Sequence, residues 1–533
     1  MRKTLKLFAG LSATNWRIEF VIHSALFISF VALFIVSGCR RAEDRFVLAL
    51  EARPETLDPL RSTDAASERL RQLMFNTLVR KNERFEYVGE LAETIEPSSD
   101  ALAYTFKLRD GVRFHDGRPL TATDAKYTLD ALLASDSRKA APFFEGAGSN
   151  RQPRISSIEA PDARTLVVRL SKPWPELLAN LVPIGIIPQG SAEQQRAQPL
   201  GSGPFRFERY DESQQVVDLA ANENYWEGAP KIKSLRVRVI LDANTLQAEL
   251  RAGRISMAIN TSLSPDAYRA LAQDPNLQVV QSPGANIQYL GFNAQADLVK
   301  EARVRQAIAY AINREEIVRN LLLGQARVAH SILPESSWAY APGTIYMFDP
   351  ARAKRLLDEA GLRDPDGDGP RLRNEDRPIS LKISSSNAVA RAVAGVMQNE
   401  LKLVGLRLEI ETLEDNVLRD AQRNGQYQMT IGRWVGGNQD PIFLRDLFAT
   451  NGAFNRSRYS NPELDRILQE ATSTADRERA RALYVEAQQI ISRDVPMLPL
   501  WYPDNMIVAR RNVGNIKIDP SGDWSFVRNV TVQ

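Results

Sequence analysis

Short runs rich in β-branched and aromatic residues alternate with amphipathic helical runs along this chain, and that alternation restricts it to a mixed α/β architecture. Phe46–Leu50, Tyr104–Leu108, Leu166–Leu170, Leu235–Leu241, Ile379–Ile383 and Leu406–Glu411 read as strands. Ala66–Val79 reads as a helix, with Leu70, Leu73, Met74 and Leu78 on one stripe. Thr121 and Asp124 open a helix to Ala134 in the pattern of a capping box. Asn244–Ala252 is stopped by Gly253, and the helix opened by Asp349-Pro350 is closed by Gly361. Val304–Ile312, Arg314–Leu323, Val389–Leu403, Pro462–Ala471 and Arg477–Ser492 complete the helical set.

The N-terminus obeys a different rule. Arg2, Lys3, Lys6 and Arg17 precede an apolar run from Val21 to Val36, which leads into Ser37-Gly38-Cys39 and then polar residues. A basic start, an apolar stretch and small residues before a cleavage point form a secretory signal. The run is shorter than the about 20 residues a spanning helix needs, although an uncleaved anchor is the competing reading. The last four residues, Val36 to Cys39, resemble the lipobox of bacterial lipoproteins. That resemblance implies cleavage after residue 38, lipid on Cys39, a tether over 39–44 and a protein held at a membrane outside the cytoplasm, in the periplasm or at the cell surface.

The rest of the composition mostly excludes. The roughly 500 remaining residues suffice for two to four domains. Lys and Arg total 68 against 65 Asp and Glu, with no basic tract, which argues against nucleic acid. Cys39 is the only cysteine, so disulfides and cysteine chemistry are absent. Beyond the signal only His115 and His330 remain, too few and too far apart for a histidine zinc site or a Ser-His-Asp triad. Between Asp110-Gly111 and Asp116-Gly117, His115 reads as a turn or packing histidine.

Several segments then appear in a telling order: Glu55-Thr56-Leu57-Asp58-Pro59, Tyr104 through Gly117, Pro119 through Asp124, Gly201-Ser202-Gly203-Pro204-Phe205, Asn222 through Trp226, Gly291-Phe292-Asn293 before Val304–Ile312, and Asp349 through Leu357. In this order and spacing they resemble the extracellular solute-binding proteins of family 5, the oligopeptide/dipeptide/nickel class of bacterial ABC importers. The resemblance implies a two-lobe periplasmic-binding-protein fold with mixed sheets. Lobe I would span 45–283 with an inserted subdomain at about 78–200. Lobe II would span 284–495, and 496–533 would return to lobe I. Two crossings would fall near Asn286–Asn293 and Pro496–Pro503. A solute, peptide or peptide-like, would be buried between the lobes and delivered to permease and ATPase subunits, without catalysis.

Peptide binders of this family pair backbone with an extended ligand, as an added strand. The matching segments here are Thr63-Asp64-Ala65 and Arg433-Trp434-Val435. Tyr289, Trp501 and Tyr502 are candidate cleft walls, each with an equal reading as core. Arg433 would face an acidic ligand or simply solvent. Gly436, Gly437 and Asn438 continue the second segment. Peptide-binding relatives carry an aspartate three residues after the tryptophan, where it pairs with the ligand's α-amine. This chain has Gly437 there, so the ligand lacks a free amine or places it elsewhere. Asp440 followed by Pro441 reads as the cap of a helix over Ile442–Phe448.

Asp364, Asp366, Asp368 and Glu375 fit the carboxylate spacing of an EF-hand calcium loop. Arg371 in place of an apolar eighth residue, and a strand where a helix normally follows, favour a plain Asp-Gly turn. No other cofactor is expected. Two alternatives share the sequence evidence: a same-fold binding module for signalling or folding without a permease, and a carboxylate-dependent cell-envelope hydrolase, for which no motif is visible.

Overall fold

The computed structural model describes residues 45–146, 151–364, 371, 378–436, 439–474 and 476–533. The signal segment and Cys39 therefore lie outside the described residues, as do Asp366, Asp368, Glu375, Gly437 and Asn438. Residues Val47–Gln533 form one compact unit.

Two mixed sheets organise this unit. The first has seven strands in the order Phe205–Asp211, Val216–Ala221, Ser234–Val239, Phe46–Leu50, Met257–Ile259, Asn505–Arg510 and Leu277–Ser282. Leu48 pairs with Met257 in parallel, while Met257 pairs with Ala509 antiparallel. The second has six strands: Ala326–Val328, Met497–Pro503, Ile287–Phe292, Met429–Trp434, Ile379–Ser384 and Leu408–Leu413. A separate antiparallel sheet of Ala92–Pro97, Ala103–Leu108, Thr165–Leu170 and Ile155–Asp162 carries the helix Ala122–Leu133 on one side. That helix opens on the predicted capping box, in which Asp124 Oδ2 accepts from the Thr121 backbone N–H at 2.9 Å.

The chain passes between the two main sheets twice, after Ser282 and after Pro503. The crossings lie side by side. A Cβ on Gly284 would meet the Pro503 carbonyl oxygen at 2.1 Å, so only glycine fits there. Arg327 ties both together, donating to Gly284 O at 2.7 Å and pairing with Asp504 at 3.3 Å.

This placement corrects the sequence reading. The segments expected to cross, Asn286–Asn293 and Pro496–Pro503, are chiefly central strands of the second sheet, and Met497–Pro503 belongs to lobe II. They are rich in apolar and aromatic residues because both faces of that sheet are covered. Leu290 and Phe292 enter one core cluster, and Tyr289 enters another.

Candidate functional site

The strand Met429–Trp434 leaves part of one edge open. On one side it pairs along its whole length with Ile287–Phe292, from Phe292 opposite Met429 to Ile287 opposite Trp434. On the other, Ile379–Ser384 pairs only at Met429 and Thr430. Among the described residues no strand occupies the second edge of Ile431–Trp434. An edge of this kind can receive an extended chain through backbone hydrogen bonds.

Packing underneath holds that edge rigid. Trp434 stacks on Tyr289 with centroids 5.9 Å apart, meets Phe443 edge-on at 5.1 Å, and lies 5.3 Å from the Arg456 guanidinium carbon. Gly432 must be small, because a Cβ would sit 2.3 Å from the Tyr289 ring. Arg433 within the strand and Val435 just past it are exposed, and Gly436 turns at φ +75° while its N–H donates to Asn286 Oδ1 at 3.1 Å.

Lobe I faces this region through a hairpin and a short helix. The hairpin pairs Val79–Lys81 with Tyr87–Gly89. The Tyr87 hydroxyl donates to Asp440, Glu86 pairs with Arg477, and Lys81 Nζ reaches Gln439 Oε1 at 3.4 Å. Glu176, beside the helix Leu177–Leu181, pairs with Arg445 at 2.9 Å. Burial, followed by the Asp440 carboxylate, raises the Tyr87 hydroxyl well above its ordinary range, so it remains a donor. These contacts hold the two lobes together.

Asp440 therefore does more than the cap expected of it. The helix begins later, at Phe443 with Ile442 as its cap residue. One Asp440 oxygen accepts from the Ile442 N–H at 2.9 Å, and the other accepts from Tyr87. Nothing local in the sequence marked Tyr87, Glu86, Lys81 or Glu176, since their partners lie hundreds of residues away.

Other expected site residues separate into two groups. Thr63 and Ala65 are exposed, and Asp64 caps the helix Ala65–Met74 by accepting from Ser67 N at 2.9 Å. Arg138 donates to Thr63 Oγ1 at 2.6 Å, which fixes that loop. Among the described residues no hydrogen bond joins Thr63–Ala65 to Arg433–Gly436. Trp501 and Tyr502 are core residues in this conformation. Trp501 belongs to the lobe II cluster, and Tyr502 is 0 % exposed with its hydroxyl donating to the carbonyls of Ser331 and Leu333. Tyr289 is likewise buried beneath Trp434.

His115 sits where the turn reading placed it. Its Nε2 lies 3.0 Å from Gly203 O, and burial lowers its pKa to about 4. Arg371, at the eighth position of the aspartate-rich loop, is buried. It donates to Val404 O at 2.8 Å and pairs with Asp358 at 2.5 Å. Asp364 is the only one of the four loop carboxylates among the described residues, which contain no group of three or more potential metal ligands. No described helix is long and apolar enough to cross a membrane.

Comparison with known proteins agrees with this geometry. Residues 86–456 match the bacterial extracellular solute-binding proteins, family 5 middle. The chain is 29% identical to di/tripeptide-binding protein 2 of Pseudomonas aeruginosa (strain UCBPP-PA14), covering 95% of this chain and 98% of that one. It is 29% identical to heme-binding protein A of Haemophilus influenzae (strain ATCC 51907 / DSM 11121 / KW20 / Rd), over 80% and 81% of the two chains. The structure of the oligopeptide-binding protein AppA from Bacillus subtilis, in complex with a nonapeptide, superposes with a TM-score of 0.70 at 27% identity, covering 92% of this chain and 99% of that one.

Proposed function

We propose that this chain, which belongs to the bacterial extracellular solute-binding proteins of family 5, captures a peptide or peptide-like solute between its lobes for the permease and ATPase of an ABC importer. The observation that carries the peptide reading is the open edge of Ile431–Trp434, because an added strand is bound by its backbone whatever its side chains. Closure by Tyr87, Glu86 and Glu176 would then bury the solute and give the permease a distinct shape to recognise. The chain would act without catalysis, as a carrier. Lipid on Cys39 would keep it near its permease and raise the local concentration there.

Native mass spectrometry of freshly purified protein, followed by calorimetry with trialanine on ligand-stripped protein, tests this. A co-purified peptide and measurable trialanine binding are expected. A co-purified heme, metal complex or glycan, with no heat from any peptide, would overturn the peptide reading. Release of the protein from the membrane fraction by Cys39→Ala tests the tether, and a wild-type chain already free of membranes would refute it.

A further inference from the structure

Away from the cleft, a groove of about 430 Å³ opens at one end of the first sheet. It lies between the end of the helix Ala243–Arg251, the end of the strand Asn505–Arg510 and the start of the strand Leu277–Ser282. Buried Leu250 and Leu277 line it. Its charged wall residues are Arg251, Arg510 and Arg511, and no acidic side chain lines it.

Among the described residues none of these three arginines makes an ion pair. Arg510 donates one N–H to Gly253 O, while its Nε is buried with no hydrogen-bond partner. Arg511 donates to Pro275 O at 3.3 Å, and Arg251 is exposed. Contacts of this kind with carbonyls neutralise no charge. The carboxylates on the neighbouring turns are engaged elsewhere. Glu249 pairs with Arg254 at 2.8 Å and with Arg238 at 2.9 Å, and Asp274 Oδ1 accepts from Asn276 N at 2.9 Å. Three like charges gathered in one concave site repel one another, and a bound anion offsets that cost.

The groove lies at the end of the sheet where the chain arrives from Cys39. Val47 N donates to Ser256 Oγ at 3.0 Å, its carbonyl accepts from Ser256 N at 2.8 Å, and Ser256 O accepts from Arg510 N at 2.9 Å. Val47 is therefore two strands from Arg510, about 10 Å by strand spacing. Cys39 precedes Val47 by eight residues, which span about 28 Å at full extension. Lipid on Cys39 would thus keep this end of lobe I close to the bilayer surface. We propose that the groove receives the phosphate of an anionic phospholipid headgroup, so that the tethered protein rests on the membrane with this end down. The inference rests on the Cys39 tether proposed above. Arginine is the side chain suited to it, because its planar fork matches phosphate oxygens in pairs.

Vesicle co-sedimentation of the Cys39→Ala protein, which reads the groove without the lipid, tests this. Binding to vesicles of phosphatidylglycerol mixed equally with phosphatidylcholine is expected, with little to phosphatidylcholine alone, and it should weaken steeply as salt is added. Each basic residue at an anionic surface contributes roughly fivefold, so Arg251→Gln with Arg511→Gln should weaken binding about twenty-five-fold. Lys354→Gln with Arg355→Gln removes the same charge from exposed positions of lobe II and should change little. Both double variants should keep the trialanine affinity of the parent in calorimetry. No binding to the mixed vesicles, equal binding to both vesicle types, or equal losses in the two double variants would each overturn the proposal. Salt-insensitive binding would overturn it even if the groove variant fails to fold. Impaired solute uptake in cells with vesicle binding unchanged would assign the groove to the permease instead. Failure of the tether shows separately, as a chain with Cys39 intact that is free of membranes.

Discussion

Tyr87→Phe removes one hydroxyl, and with it a hydrogen bond that exists only when the lobes are together. In the structure that hydroxyl donates to Asp440, whose other oxygen is held by Ile442 N. A hydrogen bond to a charged acceptor contributes about 1.5–3 kcal/mol, and losing the donor leaves the Asp440 oxygen partly unsatisfied near Lys81. In the open form both groups meet water, so the loss falls on the closed form alone. The closed population should fall roughly tenfold to a hundredfold relative to the open one. Solute affinity should weaken by up to that factor, mostly through faster release. Calorimetry gives the affinity and stopped-flow displacement the release rate. Arg477→Ala is the internal control. Its pair with Glu86 is about half exposed on the arginine side, and pairs of that kind are worth roughly 0–1 kcal/mol. If Tyr87→Phe weakens binding no more than Arg477→Ala, the lobes are not held by this buried contact and the reasoning fails.

Glu400 gives a pH signature in lobe II. Burial, its largest cause, raises its pKa from 4.5 to about 7, although its carboxylate accepts from Asn313 N at 3.2 Å. The folded state thus binds more protons than the unfolded one between those values, so this contribution is present below about 4.5 and lost as pH rises through about 7. Glu400→Gln should stabilise the protein by about 1–2 kcal/mol at pH 8, discounted for partial exposure, and by nothing at pH 4, as read by urea unfolding. Gly432→Ala should cost about 1–3 kcal/mol, because the Tyr289 ring must yield. A full-stability Gly432→Ala protein would show that the ring has room. Calcium bound at the Asp364–Glu375 loop would raise the melting temperature in a way that Asp366→Ala abolishes, and equal melting in calcium and in chelator would rule the site out.

Local rules made much of the architecture legible. The strand Phe46–Leu50 and the helix Pro350–Glu359 with its Asp349 cap lie where propensity and capping put them. So do the helices Ala388–Leu403 and Pro462–Ser473, to within two residues at each end. The strand Met429–Trp434 was visible only as a resemblance, because Gly432 and Arg433 break its pattern. Its glycine is explained by Tyr289 pressing from the neighbouring strand. The aromatic residues Trp501 and Tyr502 look the same in sequence whether they line a cleft or fill a core.

By itself the sequence determined what short-range physics controls: the element order, the caps, the scarcity of histidine and cysteine, and the family. Which apolar strands are central, where the chain crosses between lobes, and which side of Met429–Trp434 stays open were decided only by tertiary structure. The same holds for Tyr87 with Asp440, separated by 353 positions, and for Lys81 with Gln439, separated by 358. Hydrogen bonds and counter-charges between distant residues depend on how the sheets stack and the lobes close, and no local pattern encodes that.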